Sequence, residues 1–416
     1  MIACPMTKPS NSYRILHTAD WHLGKTLEGQ SREDEHDLFL AWLLERVSEL
    51  EVDAVIIAGD VFDSGMPPQT AAHRYFEFVS NLRERGECKL VVIGGNHDSA
   101  NQLEAPVPVL EFLGARVDGR VKEEPSERIL LLPDSENSQV AIAMVPFLRD
   151  ADVRKGRAGE SPDEVRKSLA EGIRKKYEES AQALDGLSCQ ALATGHLTVT
   201  GMRSSDSERA IIGGLGDVSH KVFPERFGYV ALGHLHRPQS PDDGRVRYSG
   251  SPIPLSFSEA EDEKEVRILD VTPDGIKDFS LPIPLSRNLV QLKVSFDELE
   301  SRILEFSPDA SELTPWVEVV VEGAVFGDEL SNRVRELAEG KGYEILKVIR
   351  VKGENEEGGA ILADGEDYEF ILDHPDRVFE RVLDQKEVTD EAERERLKAL
   401  FGQVVGLVEQ AEGEGT

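Results

Sequence analysis

The chain has 416 residues, 39% of them hydrophobic and 30% charged, with a formal net charge of −32. This composition fits a soluble globular protein with room for a catalytic core and one or two smaller modules, and it excludes a generally disordered chain. No apolar run approaches the roughly 20 residues needed to span a bilayer, and the first dozen residues lack the basic start and apolar stretch of a signal peptide. Three scattered cysteines, Cys4, Cys88 and Cys189, make neither a disulfide framework nor a zinc cluster. A cytoplasmic protein is expected.

The acidity, taken alone, argues against a nucleic-acid partner, because DNA-binding surfaces carry a basic footprint. Much of it falls after Gly353, in acidic runs at 354–357 and 391–395. Bound divalent cations invert the field of a carboxylate-rich site, and a second protein chain can supply DNA affinity. The charge does not decide the function.

In chain order, Tyr13–Thr18 reads as a strand and Glu33–Leu50 as a helix, with Leu38, Phe39, Trp42, Leu43 and Val47 at helical spacing. Asp53–Ala58 is a buried β-branched strand, Thr70–Arg85 a second helix and Lys89–Gly94 a third strand. Gln139–Val145, Gln190–Thr194, Gly228–Leu232, Val246–Ser249 and Glu265–Val271 are further strands, and Ser161–Leu184 is a long charged helix between them. The alternation predicts an α/β sheet with covering helices. Leu281–Arg287 (LPIPLSR) reads as a linker. Beyond it the pattern restarts as strand Leu289–Val294, helix Glu298–Phe306, strand Trp316–Val321, helix Asp328–Glu339 and strand Tyr343–Val351, a small βαβαβ module. Gly353–Gly365 reads as an acidic, glycine-rich connector, and Pro375–Gln410 returns to helical spacing. The division expected is a flexible extension over 1–12, a catalytic domain over 13–285, a small α/β module over 286–352, and the connector with C-terminal helices over 353–416.

Five motifs place metal-ligand residue types at or just after strand ends: Asp20-Trp21-His22, Gly59-Asp60-Val61-Phe62-Asp63, Gly95-Asn96-His97-Asp98, Gly195-His196 and Gly233-His234-Leu235-His236. The C-terminal ends of strands are where sites assemble in open α/β folds. On an extended segment, Asp20 and His22 project to one side, as do His234 and His236. The glycines before Asp60, Asn96, His196 and His234 permit close backbone approach. Carboxylate, imidazole and one amide oxygen, without thiolate, point to Mn²⁺, Mg²⁺ or Fe²⁺ rather than structural zinc. One carboxylate shared by two ions fits a two-metal hydrolase. Each motif alone is weak; all five in this order are not.

These motifs are similar to those of the calcineurin-like metallophosphoesterases. Segments His17–Gly24 (HTADWHLG), Ala58–Asp63 (AGDVFD), Gly95–Ser99 (GNHDS), Ala193–Thr198 (ATGHLT), Ala231–His236 (ALGHLH) and Tyr248–Phe257 (YSGSPIPLSF) resemble the SbcD family, the nuclease subunits of bacterial SbcCD. The resemblance is specific from about Tyr13 to Phe257 and looser to about Phe401. It implies a four-layer metallophosphoesterase β-sandwich flanked by helices, with the small α/β module as a capping domain and the C-terminal helices as a partner-binding segment. It implies one cation held by Asp20, His22, Asp60 and His236 and a second by Asp60, Asn96, His196 and His234, with Mn²⁺ as the metal. His97 is implied as the catalytic histidine that stabilises or protonates the leaving oxygen, with Asp63 hydrogen-bonding and orienting it.

The resemblance further implies double-strand exonuclease and single-strand endonuclease activity on DNA, with an SbcC-type coiled-coil ATPase and a homodimer within a heterotetramer. No nucleotide-binding P-loop is present, so ATP dependence comes from outside the chain; Gly213–Gly216 (GGLG) lacks the Lys-Ser/Thr and reads as a turn. Lys25, Arg32, Arg203, Lys221 and Arg237 lie near motifs as candidate phosphate contacts, with solvated surface the equal alternative. Trp21 reads as packing, and His17, His36, His73, His220 and His374 as structural or surface residues. A small-molecule phosphodiesterase or phosphoprotein phosphatase on the same fold is the alternative. It is weakened by GNHD in place of the phosphatase GNHE, by the absence of Arg-Gly after Asp63, and by the appended module.

Overall fold

The computed structural model describes residues 5, 7–155, 160–208, 218–242, 244–323 and 329–351, together with 383 and 394. Apart from 383 and 394, the expected C-terminal helices lie outside the described residues, as do the 353–365 connector, His374 and the Gly213–Gly216 turn.

Apolar, β-branched runs form the central strands because both of their faces are covered. β1 (Tyr13–Thr18), β2 (Ala54–Ala58), β3 (Lys89–Ile93) and β4 (Ala115–Asp118) run parallel. They join antiparallel β10 (Glu265–Thr272) and β11 (Gly275–Pro282) in a six-stranded sheet of order β11-β10-β1-β2-β3-β4. β5 (Ile129–Leu132), β6 (Val140–Ala143), β7 (Gln190–His196), β8 (Tyr229–Gly233) and β9 (Val246–Tyr248) form a second sheet of order β9-β8-β7-β6-β5, parallel except at β5. The expected linker begins later than its composition suggests. Leu281 and Pro282 complete β11, where Leu281 pairs with Val266 and Pro282 with Glu265; on an edge strand proline's missing N–H costs no ladder bond.

Three apolar clusters give the layers. Ile15, Ile56 and Val91 of the first sheet meet Ile142, Leu192 and Ala231 of the second in the central core. The outer face of the first sheet packs on α1 (Glu33–Glu49) and α2 (Gln69–Glu84) through Phe39, Leu43, Tyr75 and Phe78. The outer face of the second packs on α3 (Pro162–Gln182) through Leu169, Ile173 and Tyr177. Helix, sheet, sheet, helix is the expected four-layer order. Each helix carries its own start signal: acidic Glu33, Asp34 and Glu35 in the first turn of α1 favour the positive end of its dipole. α3 opens with a capping box between Ser161 and Glu164.

The smaller module is β12 (Leu289–Ser295), α4 (Leu299–Glu305), β13 (Trp316–Glu322), α5 (Glu329–Ala338) and β14 (Glu344–Val351), with its sheet in the order β12-β13-β14. Backbone packing divides the chain into two compact units. One holds the described residues up to Leu292 with 306–318 and 338–347; the other holds 293–305, 319–337 and the described residues from 348.

Candidate metal centre

Five strand ends deliver the polar residues. β1 stops at Thr18 before Asp20 and His22, β2 at Ala58 before Asp60 and Asp63, and β3 at Ile93 before Asn96 and His97. β7 runs to His196, and β8 stops at Gly233 before His234 and His236. Asp20, His22, Asp60, His97, His196, His234 and His236 are all buried. The local geometry differs from the extended Asp-x-His segment expected. Asp20, His22, Asp60 and His234 have φ of 53°, 47°, 49° and 96°, in the left-handed region that L-residues occupy at a cost. The strain is held by a zipper between the first two loops, in which Asp20, His22 and Leu23 donate their N–H groups to the carbonyls of Gly59, Asp60 and Val61, each at 3.0 Å.

Glycine is required where these loops crowd. A Cβ on Gly95 would lie 2.1 Å from Asp60 Oδ1, and one on Gly59 would lie 2.2 Å from His196 Nδ1. The carboxylates also organise the backbone: His97 N–H donates to Asp60 Oδ1 at 2.9 Å and His234 N–H to Asp20 Oδ1 at 2.8 Å. Asp98 accepts from the N–H groups of Val61, Phe62 and Gly95, tying the second loop to the third.

The remaining polar atoms converge. Asp60 Oδ2 lies 3.6 Å from His22 Nε2 and 3.2 Å from His196 Nε2. Asn96 Oδ1 lies 2.9 Å from His196 Nε2 and 3.0 Å from His234 Nδ1. Ligand-type atoms of His22, Asp60 and His97 lie within 4.8 Å of one another, as do those of Asp60, His196 and His234. Asp20 Oδ1 is 3.9 Å from His196 Nδ1, and the His236 ring centroid is 5.0 Å from that of His22. Burial pushes His22 and His236 down and His234 down to about 3, in the direction of the neutral imidazole, the form that binds a metal. Burial opposes ionisation of Asp60, yet His196 holds its carboxyl well below the usual range; Asp60 in turn lifts His196 to about 9 against the cost of burial. Burial, with Asp60 nearby, raises Asp20.

The residues fit divalent cations. Among the described residues, Asp20 Oδ2 and His22 Nε2 are buried side-chain atoms without a hydrogen-bond partner, a costly condition that a cation relieves. The donors are hard oxygens and imidazoles with no thiolate.

Asp63 acts differently from expectation. Its carboxylate Oδ1 bonds His22 Nδ1 at 3.1 Å, and it is its main-chain oxygen that accepts from His97 Nδ1 at 2.8 Å. Among the cationic candidates, Lys25 Nζ is 3.4 Å from Asp63 Oδ1 and so borders the centre. Arg32 is wholly buried and clamped on Glu35, with its guanidinium 5.6 Å from the Trp316 ring centroid, and is not placed to meet a phosphate. Arg237 pairs with Asp262 at 2.8 Å. Arg203 and Lys221 are exposed, and among the described residues no hydrogen bond or ion pair links them to the centre. Trp21 is buried, donating its Nε1–H to Thr18. Sequence reasoning missed Ser207, Glu208, Glu259 and Lys264, which surround His236. Glu259 stands two residues past the YSGSPIPLSF segment, and nothing in its spacing marks it.

A two-sheet sandwich with buried carboxylates and imidazoles at its strand ends defines a metal-dependent phosphoesterase. Residues 13–238 match the calcineurin-like phosphoesterase family, and residues 286–387 match a domain described as the type 5 capsule protein repressor C-terminal domain. The chain is 34% identical to the SbcD component of the nuclease SbcCD from Escherichia coli (strain K12), over 93% of this chain and 96% of that one. It is 42% identical to the SbcD component of the Rhodobacter capsulatus nuclease, over 65% of this chain and 69% of that one. It is 38% identical to the Bacillus subtilis protein of the same name, over 62% and 66%. The chain belongs to the SbcD family of calcineurin-like phosphoesterases. Use of divalent metal follows from the family and from the two clusters of ligand-type atoms. No helix among the described residues is long and apolar enough to cross a membrane.

Proposed function

We propose that this chain is the nuclease component of a DNA-end-processing complex, hydrolysing phosphodiesters with two divalent cations, Mn²⁺ foremost, alongside an SbcC-type coiled-coil ATPase. Double-strand exonuclease, single-strand endonuclease and hairpin-opening activities belong to this reading, as does a homodimer within a heterotetramer. Asp20, His22, Asp60 and His236 would hold one ion and Asp60, Asn96, His196 and His234 the other. The observation that carries it is Asp60 Oδ2, one carboxylate oxygen within 3.6 Å of a histidine nitrogen from each set.

When bound, the cations supply Lewis-acid stabilisation of charge on the phosphoryl oxygens and lower the pKa of water. The residues do the rest. His97 Nδ1 donates its proton to the Asp63 main-chain oxygen, so Nε2 is the nitrogen that gains a second proton, and it is as the imidazolium that His97 would give that proton to the departing oxygen. The Asp63 carboxylate orients His22. Lys25, beside Asp63, supplies positive charge at the rim for a neighbouring phosphate. The absence of a P-loop assigns ATP hydrolysis to the partner.

The test is cleavage of a labelled hairpin-ended duplex in Mn²⁺ by the purified chain, with and without the partner ATPase and ATP, beside Asp60→Asn. Cleavage that requires Mn²⁺ and Asp60 and rises with the partner supports the whole proposal. Intact DNA in every lane, with brisk Asp60-dependent hydrolysis of a small phosphodiester, would retain the metal site and overturn the DNA assignment.

A further inference from the structure

His236 is the candidate ligand with the most elaborate polar surroundings, and the mechanism uses none of them. Its Nδ1 lies 3.1 Å from Glu259 Oε1 and 2.7 Å from Ser207 Oγ. Ser207 Oγ itself donates to Glu259 Oε1, as does Ser205 Oγ at 2.9 Å. The other carboxylate oxygen, Glu259 Oε2, takes Lys264 Nζ at 2.6 Å and the Leu255 N–H at 3.1 Å. Lys264 Nζ donates again to the carbonyl of His236 at 3.1 Å. Glu259 is 0% exposed and Lys264 2%.

A fully buried Lys–Glu pair is a poor device for stability. Desolvating two charges is unfavourable, so well-packed apolar residues in the same volume are often as stable or more so. What the pair does provide is direction. A carboxylate locked by these donors and presented to Nδ1 makes that nitrogen the N–H donor. The imidazole lone pair is thereby assigned to Nε2, and a partner of this kind raises a ligand's basicity. His22 has the same arrangement through the Asp63 carboxylate, whereas His196 Nδ1 bonds the Ala58 carbonyl, at 2.9 Å.

We propose that Glu259, locked by Lys264 and Ser207, is the positioning residue that fixes the tautomer and orientation of His236 for one of the two cations. This rests on the assignment of His236 as a ligand. Replacing Glu259 therefore weakens one cation site and spares the other.

The experiment is a titration of the full chain with Mn²⁺, followed by the electron paramagnetic resonance signal of free Mn²⁺, for wild type, E259Q, E259Q/K264M and H236A. The double variant removes both charges together and leaves no buried unpaired ammonium, so a variant that retains native circular dichroism is available if E259Q does not fold. The expected result is two sites in wild type, with one weakened about 10- to 100-fold in the Glu259 variants and the other unchanged. In an H236A background, E259Q is expected to add no further loss. Wild-type affinity at both sites in a folded E259Q/K264M protein overturns the proposal. Equal weakening of both sites overturns it too, as a general loss of structure would produce. Wild-type binding by H236A instead overturns the ligand assignment beneath it, a distinguishable failure.

Discussion

The carboxylate of Asp63 bonds His22 Nδ1 at 3.1 Å and leaves His97 to the main chain. An aspartate expected to serve the catalytic histidine thus serves a metal-ligand candidate, and the two roles separate by mutation. Asp63→Ala removes the partner of His22 but keeps the main-chain oxygen that His97 uses. It is expected to weaken Mn²⁺ binding about 10- to 100-fold, with most turnover regained at saturating metal. His97→Ala should leave metal affinity near wild type and lower turnover about 10²- to 10⁴-fold at any metal concentration. Metal-dependence curves for both variants on one DNA substrate decide it; a His97→Ala defect that extra Mn²⁺ cures would refute the division of labour.

Gly95 and Asp60 lie in the loops that follow β3 and β2, and these loops crowd each other. A methyl on Gly95 would sit 2.1 Å from Asp60 Oδ1 and 2.4 Å from Asp60 N, distances no packed Cβ tolerates. Asp60 is held in place by the His97 N–H and by its own left-handed backbone. Gly95→Ala is therefore expected to displace the shared carboxylate, costing about 1–3 kcal/mol of stability as overpacking does, together with loss of at least one bound Mn²⁺ per chain. Thermal unfolding and metal analysis of the purified variant measure the two effects. Full metal occupancy at wild-type melting temperature would contradict the tight packing at this position.

Much of this is legible in the sequence because the strands here are buried on both faces and read as unbroken apolar runs. β1 lies at Tyr13–Thr18 as expected, and the small module's strands and helices fall within a residue or two of expectation. β4 and β5 are among the strands that the sequence does not announce. β4 (ARVD) is four residues long with charge at positions 116 and 118, and β5 (ILLL) is followed directly by Pro133, so neither carries a periodic signal. At the site, the convergence of the five motifs follows from strand ends, but the local backbone does not: left-handed φ at Asp20 and Asp60 leaves no trace in residue type. Arg32 reads as a free cation because sequence does not reveal that Glu35, one helical turn on, and Trp316, nearly 300 positions away, enclose it. The surroundings of His236 are invisible for the same reason. Ser207 is brought to it by a turn and Glu259 by a short 3-10 helix, Phe257–Glu259, with no spacing rule.

His17 and His36 sit wholly buried, and burial pushes each down to about 3, helped by Arg267 and Arg32 respectively. In the unfolded chain both regain a pKa of about 6.5. Between these values the unfolded state binds more protons, so stability is full above about pH 6.5 and is lost as pH falls toward 3, by about 1.4 kcal/mol per pH unit for each histidine. His17→Gln, which retains a polar group near the Tyr229 hydroxyl 3.0 Å away, is expected to flatten the dependence between pH 6.5 and pH 5 by about one proton. Urea unfolding at pH 7.5, 6.0 and 5.0 reads the slope directly; an unchanged slope would mean His17 is not a source of acid lability.

Arg14 and Asp270 face each other across β1 and β10 as register partners, with Nε donating to Oδ1 at 2.7 Å and Nη2 to Oδ2 at 3.0 Å, both side chains buried. Arg14 Nη1 also donates to the carbonyl of Leu50 at the end of α1, so the guanidinium ties helix to sheet. Asp270→Asn would leave a buried guanidinium without its countercharge, which costs about 3–5 kcal/mol. Replacing both by leucine removes the stranded charge and should recover much of that loss. The recovery should be incomplete, because the Leu50 carbonyl is then left without this donor. The pair lies at the start of β1 and the metal centre beyond its end, past four strand steps that span roughly 13 Å at about 3.3 Å per residue, so activity of the folded variants should hold. Urea unfolding of the single and double variants, with nuclease assays well below their melting temperatures, tests both halves. A stable Asp270→Asn protein, or a folded one that has lost activity, would show that the pair does something other than join helix to sheet.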